Sequence, residues 1–180
     1  MKKLTMLSLL NIFLSIGCTT VYKNQNPLNK EFPKVHGTAL SKEKVTLPEK
    51  FKGEPVIILV GYVQKAQFDI DRWILGLSDS QVKVKIVEVP AVVGQIPSLI
   101  SSKINNGMRD GIPNEFWKDV ITLYNSDAKK IAEFTGNEKP LNARVFALNT
   151  KGEIIFFHDR GYSVPHLKLL LKNLSREGKK

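Results

Sequence analysis

The chain holds one cysteine in 180 residues, Cys18. No internal disulfide can form, and neither a paired-thiol redox centre nor a zinc site built on several cysteines is possible. Histidine is scarce as well. His36, His158 and His166 fall on different segments, so no three convergent metal ligands are apparent. The sequence has no Gly-rich phosphate loop, nucleophile elbow or metalloprotease helix. It also lacks a long apolar run. The best candidate, residues 4–16, is interrupted by Ser8, Asn11 and Ser15. A transmembrane helix needs about 20 apolar residues, so this stretch is too short to span.

Its layout fits a secretory signal instead. Lys2 and Lys3 supply a basic start, residues 4–16 an apolar centre, and Ser15-Ile16-Gly17-Cys18 a close of small residues. The ending resembles a bacterial lipobox, with Ser15 where leucine is more usual. A plain cleaved signal is the nearest alternative, but a lone cysteine at that boundary favours a lipoprotein. Resemblance to processed lipoproteins implies that Cys18 carries a diacylglycerol and an N-acyl chain, and several chains anchor stably where one does not. With Thr19 rather than aspartate after it, the same resemblance implies the outer membrane, facing the periplasm. The expected divisions are a signal at residues 1–18, a polar tether at 19–44 and one domain at 45–180 ending in a basic tail.

Basic residues outnumber acidic ones, 27 to 17. In an exported lipoprotein this excess suits anionic lipids or acidic wall polymers rather than nucleic acid. The lysines are scattered, as on a solvated surface, except for Arg176, Lys179 and Lys180 at the tail.

Within the domain, Pro55-Val56-Ile57-Ile58-Leu59-Val60-Gly61-Tyr62 reads as a strand covered on both faces, centred on residues 56–62. Ile70, Trp73, Ile74 and Leu77 follow at helical spacing, with Asp69 or Asp71 near the helix start. A second strand is expected at residues 82–89, which implies a parallel pair. Pro97 opens a helix carrying Ile96, Ile100 and Ile104 that Gly107 should stop. Asp127 is expected to cap a later helix that Gly136 ends. A hairpin spans about residues 143–158, turning at Asn149-Thr150-Lys151-Gly152, and Leu167, Leu170, Leu171 and Leu174 mark the face of a last helix.

This order, with Phe146-Ala147-Leu148-Asn149-Thr150-Lys151-Gly152-Glu153-Ile154 in the hairpin, resembles the thioredoxin-like fold, an α/β architecture with a mixed sheet and flanking helices. Gly53-Glu54-Pro55 resembles the entry to peroxiredoxin and thiol-disulfide reductase domains. The family's redox pair sits just after the first core strand, where this chain has Gln64-Lys65-Ala66-Gln67-Phe68. Its substrate-contacting proline is replaced by Ala143-Arg144. Without a thiol there, no mixed disulfide can form by the family route. The chain is also similar to cysteine-free thioredoxin-like proteins related to the ATP synthase assembly factor Atp10, through Asp69-Ile70-Asp71-Arg72-Trp73 and the hairpin. That resemblance implies binding or assembly, with no catalytic residue, metal or cofactor carried over.

The candidate binding residues are Lys65, Gln67, Asp71 and Arg72 at the helix start, with Arg109 and Asp110 in the polar turn before Phe116 and Trp117. A capping aspartate and surface ion pairs would account for the same residues without a ligand. His158 and Asp159 should point to opposite faces of a strand, which argues against an acid–base pair. The expectation is a lipid-anchored binding module with an envelope protein partner. A non-thiol enzyme using the same face, or a structural lipoprotein binding acidic polymers, stands as the alternative.

Overall fold

A computed structural model of the chain describes residues 20–177. Cys18, with the lipobox, and the terminal Lys179 and Lys180 lie outside the described residues.

The fold grows from the apolar strand that the sequence marks. Strand β3 (Val56–Gly61) follows β1 (Val35–Ala39) and β2 (Lys44–Leu47), and every one of its residues is buried. It is flanked by β4 (Lys85–Val92) in parallel and by β6 (Arg144–Leu148) antiparallel. With β5 (Ile121–Tyr124) and β7 (Ile154–His158) the sheet has seven strands, in the order β2-β1-β5-β4-β3-β6-β7. The hairpin β6–β7 lies where expected, turning at Gly152, whose φ of +88° is a conformation glycine adopts without strain.

Helices cover both faces. Helix α1 (Gln67–Asp79) and α4 (Val164–Glu177) bury Ile70, Trp73, Leu77, Leu167, Leu170 and Leu174 against one face. Helix α3 (Asn125–Thr135) packs Ala128, Ile131 and Ala132 on the other. Helix α2 (Ser98–Gly111) buries no residue. Burial of apolar surface on both faces is the main favourable term, at about 25 cal/mol per Å² removed from water.

The largest departure from expectation concerns residues 19–44. Far from being a tether, the described part of this segment is built into the domain, and β1 into the sheet. β1 pairs with both β2 and β5, and Phe32, Val35, Ala39 and Leu40 are buried. Phe32 meets Phe146 edge-on at 5.2 Å between ring centroids. Ahead of β1, the Gln25 N–H donates to the Thr135 carbonyl and the Asn29 N–H to that of Ile154. A few apolar side chains and backbone pairing suffice to fix the segment, and its polar composition hides both.

Smaller shifts follow the same logic. The second strand begins at Lys85, not residue 82, and ends at Val92. Gly107 does not stop α2, which continues to Gly111; with open space around Gly107, a solvated helix tolerates it. Asp127 caps no helix end. It lies in the first turn of α3, and its carboxylate accepts the His36 N–H at 2.8 Å, tying α3 to β1.

Starting the chain at Val45 should therefore abolish cooperative unfolding, because it strips β1 and leaves the β5 edge bare. Thermal denaturation followed by circular dichroism checks this; a sharp transition in the shortened chain would contradict the placement of β1.

Candidate functional site

The face that follows β3 is assembled from four segments: the end of β3, the start of α1, the loop entering β6 and the loop from β7 to α4. Asp69, in the first turn of α1, holds three of them together. Its Oδ2 accepts the Ala143 N–H at 2.8 Å and its Oδ1 the Tyr162 N–H at 2.7 Å. Asp69 is buried, so both of its oxygens are committed to backbone. A carboxylate that accepts backbone N–H groups makes the stronger, charge-assisted kind of hydrogen bond.

Arg144, the first residue of β6, fixes the rest. Its side chain is fully buried. Nη1 donates to the carbonyls of Lys139 (2.7 Å) and Asn142 (2.8 Å), and Nη2 to that of Gly136 (3.0 Å) and to Asn24 Oδ1 (3.2 Å). The guanidinium stands 5.1 Å from the centroid of the Tyr62 ring, within cation–π range. Burial lowers the Arg144 pKa from its ordinary value, opposed by Tyr62, where its phenol ionises at high pH, and by the Asp159 carboxylate. The Tyr62 phenol shares a 2.6 Å hydrogen bond with Thr135 Oγ1, and burial pushes its pKa up to about 12, so the ring stays neutral.

The solvent side of the face carries the polar candidates. Gln67 Nε2 donates to Asp71 Oδ1 at 2.9 Å and to Glu88 Oε2 at 3.3 Å, linking α1 to β4. Burial raises the Glu88 pKa above the usual carboxylate value, with Asp71 adding to the rise and the Gln67 hydrogen bond opposing it. Lys65 and Arg72 are exposed beside this group. Arg109 is committed elsewhere. Its Nε donates to the Leu40 carbonyl at 2.7 Å and its Nη1 to Asn106, and its guanidinium is 5.8 Å from the Trp117 ring centroid. It clamps α2 to the turn after β1, and Asp110 beside it is exposed. Trp117 donates its indole N–H to the Ile112 carbonyl, while Phe116 is exposed.

His158 and Asp159 do not form a pair. His158 Nε2 contacts the Gly161 carbonyl at 2.8 Å, and its ring packs against Trp73 and His166, the latter at 3.9 Å between centroids. Among the described residues no three His, Cys, Asp or Glu side chains converge as metal ligands would. Sequence reading did not anticipate the roles of Glu88, Arg144 and the His158–His166 stack. A charged residue inside an apolar strand run was the available signal for the first two.

Burial lowers the His158 pKa first, with His166 adding to the fall, while the Gly161 carbonyl, Asp159 and Asp69 oppose it. The folded state thus favours neutral His158. Its contribution to stability is present above the ordinary histidine value of about 6.5 and is lost as pH falls through the depressed one. The melting temperature should fall on acidification below neutrality, and His158→Phe should flatten that slope. An unchanged slope in the variant would assign the acid sensitivity to other groups.

No protein-family model matches the chain, and no curated protein matches it. Solved structures do. BsSco, described as a member of the Sco family of cytochrome c oxidase assembly proteins with a disulfide switch, is 14% identical with a TM-score of 0.58; the match covers 88% of this chain and 99% of that one. A SCO1/SenC family lipoprotein from Bacillus anthracis is 9% identical, with a TM-score of 0.56 and coverage of 87% and 99%. The exposed lipoprotein thioredoxin Etrx1 from Streptococcus pneumoniae is 11% identical, with a TM-score of 0.53 and coverage of 80% and 99%. At these identities the likeness is one of fold, and the chain has a thioredoxin-like fold.

Proposed function

We propose that the protein is a lipid-anchored envelope lipoprotein whose thioredoxin-like domain binds a protein partner and carries out no thiol chemistry. The observation that carries this reading is the content of the helix start. Where the fold offers a place for a reactive thiol, Gln67 is hydrogen-bonded to Asp71 and Glu88, and Asp69 is committed to Ala143 and Tyr162. The only cysteine in the sequence, Cys18, precedes the described residues.

A face locked by internal hydrogen bonds suits recognition, because little ordering is needed when a partner docks. Lys65, Gln67, Asp71 and Arg72 form its polar surface in this reading. Arg109 and Asp110 lie on α2 and would extend it only to a partner large enough to reach both helices. The likeness to BsSco, a member of a family of cytochrome c oxidase assembly proteins, supports an assembly role here. The lipoproteins among the solved structures support acylation of Cys18, and Thr19 fits an outer-membrane address. The enzyme reading would need Asp71, Arg72, Arg109, His158 and Asp159 to converge. Instead Arg109 is bonded to Leu40 and His158 to Gly161.

Capture from detergent-solubilised envelopes tests the proposal. Alanine at Lys65, Asp71 and Arg72 together should cut partner recovery at least tenfold while leaving the melting temperature near that of the parent. Unchanged recovery would remove this face from the proposal.

A further inference from the structure

Only three residues separate Cys18 from Tyr22 in the sequence. Tyr22 is fixed to the domain at both backbone groups. Its N–H donates to Asn137 Oδ1 at 2.6 Å, and its carbonyl accepts the Asn137 N–H at 2.9 Å. The Asn137 side-chain amide also donates to the Thr20 carbonyl at 3.1 Å. Four peptide links separate Cys18 from Tyr22, a reach of about 14 Å even when fully extended. A domain joined to its lipid through so short a piece cannot stand off from the bilayer. The pole that carries Tyr22 and Asn137 is the one held at the headgroups.

That pole is the face described above. Asn24 and the loop at residues 136–142 are bound to Arg144, Arg144 lies over Tyr62, and Ala143 is bound to Asp69. Within two residues of these fixed groups stand four exposed apolar side chains: Val21 at 66% exposure, Val63 at 41%, Phe68 at 71% and Leu141 at 55%. Lys23, Lys65 and Lys139, all exposed, stand among them. Glu138 is the acidic residue of the loop, and its carboxylate accepts the Asn24 N–H at 2.7 Å. Apolar side chains among lysines, beside the attachment point of an acyl anchor, are the composition of a surface that settles into an anionic leaflet.

We infer that this pole is a lipid-docking face, with Phe68 and Leu141 entering the headgroup layer and Lys23, Lys65 and Lys139 contacting anionic phospholipid. The inference rests on the acylation of Cys18 proposed above. It narrows the partner face: Asp71 and Arg72 remain open to a protein that approaches along the membrane surface.

The full acylated chain, reconstituted in vesicles of phosphatidylglycerol and phosphatidylcholine, provides the test. Acylated Cys18 has no free thiol, so a cysteine introduced by Phe68→Cys, Leu141→Cys or Lys151→Cys takes an environment-sensitive dye at one place. Spin-labelled lipid should quench the dye at 68 and 141 and spare it at 151, in the turn at the opposite end of the sheet. Replacing each of the three lysines by glutamine should weaken the docked state about fivefold, the equivalent of about 1 kcal/mol per near-surface lysine. Added salt should weaken it as well. Equal quenching at all three positions, or none at 68 and 141, overturns the inference. Intact mass separates the two readings. A chain without acyl chains fails at the anchor and takes the inference with it, whereas an acylated chain with unquenched dyes refutes the docking face alone.

Discussion

The Arg144 guanidinium is the interaction on which the rest of the structure depends. It is a buried cation without a carboxylate hydrogen-bonded to it; backbone carbonyls, the Asn24 amide and the Tyr62 ring surround it instead. Removing one side of such a group leaves several polar atoms buried and unpaired, at about 1–3 kcal/mol for each. The arrangement binds together pieces far apart in sequence: the segment before β1, the end of α3, the loop entering β6 and the end of β3. A buried charge is a weak source of net stability, but it admits few alternative packings.

Around this hub, polar side chains hold the loops of the same face in place. Asp69, in the first turn of α1, is turned inward to two backbone amides. Gln67 joins Asp71 and Glu88 across the gap between α1 and β4, where partial burial raises the Glu88 pKa. The outcome is an edge held by internal hydrogen bonds, on which exposed charged and apolar side chains stand together.

Much of this fold was legible in the sequence, because its strongest signals are local. The run at residues 56–60 could only be a buried strand, the spacing of Ile70, Trp73 and Leu77 named a helical face, and the turn at Gly152 set the hairpin. What stayed hidden depends on contacts distant in the chain. Residues 19–44 read as a tether because their polar side chains outnumber the few apolar ones, yet Phe32 has its partner in Phe146 and Asn24 in Arg144. The site was half visible for the same reason. Gln67 and Asp71 lie one turn apart on a helix, whereas Glu88 joins them only through the pairing of β3 with β4. Arg109 looked available because nothing near it in sequence announces Leu40 as its acceptor.

The central claim is that the segment ahead of β1 belongs to the domain and is fastened by Arg144. Amide hydrogen exchange measures this residue by residue. The N–H groups of Tyr22, Gln25 and Asn137 should exchange at least a hundredfold more slowly than an unstructured chain and should lose that protection together when Arg144 is replaced by methionine. Exchange of Tyr22 and Gln25 at the free-chain rate in the parent protein would make the segment a tether after all and contradict the account.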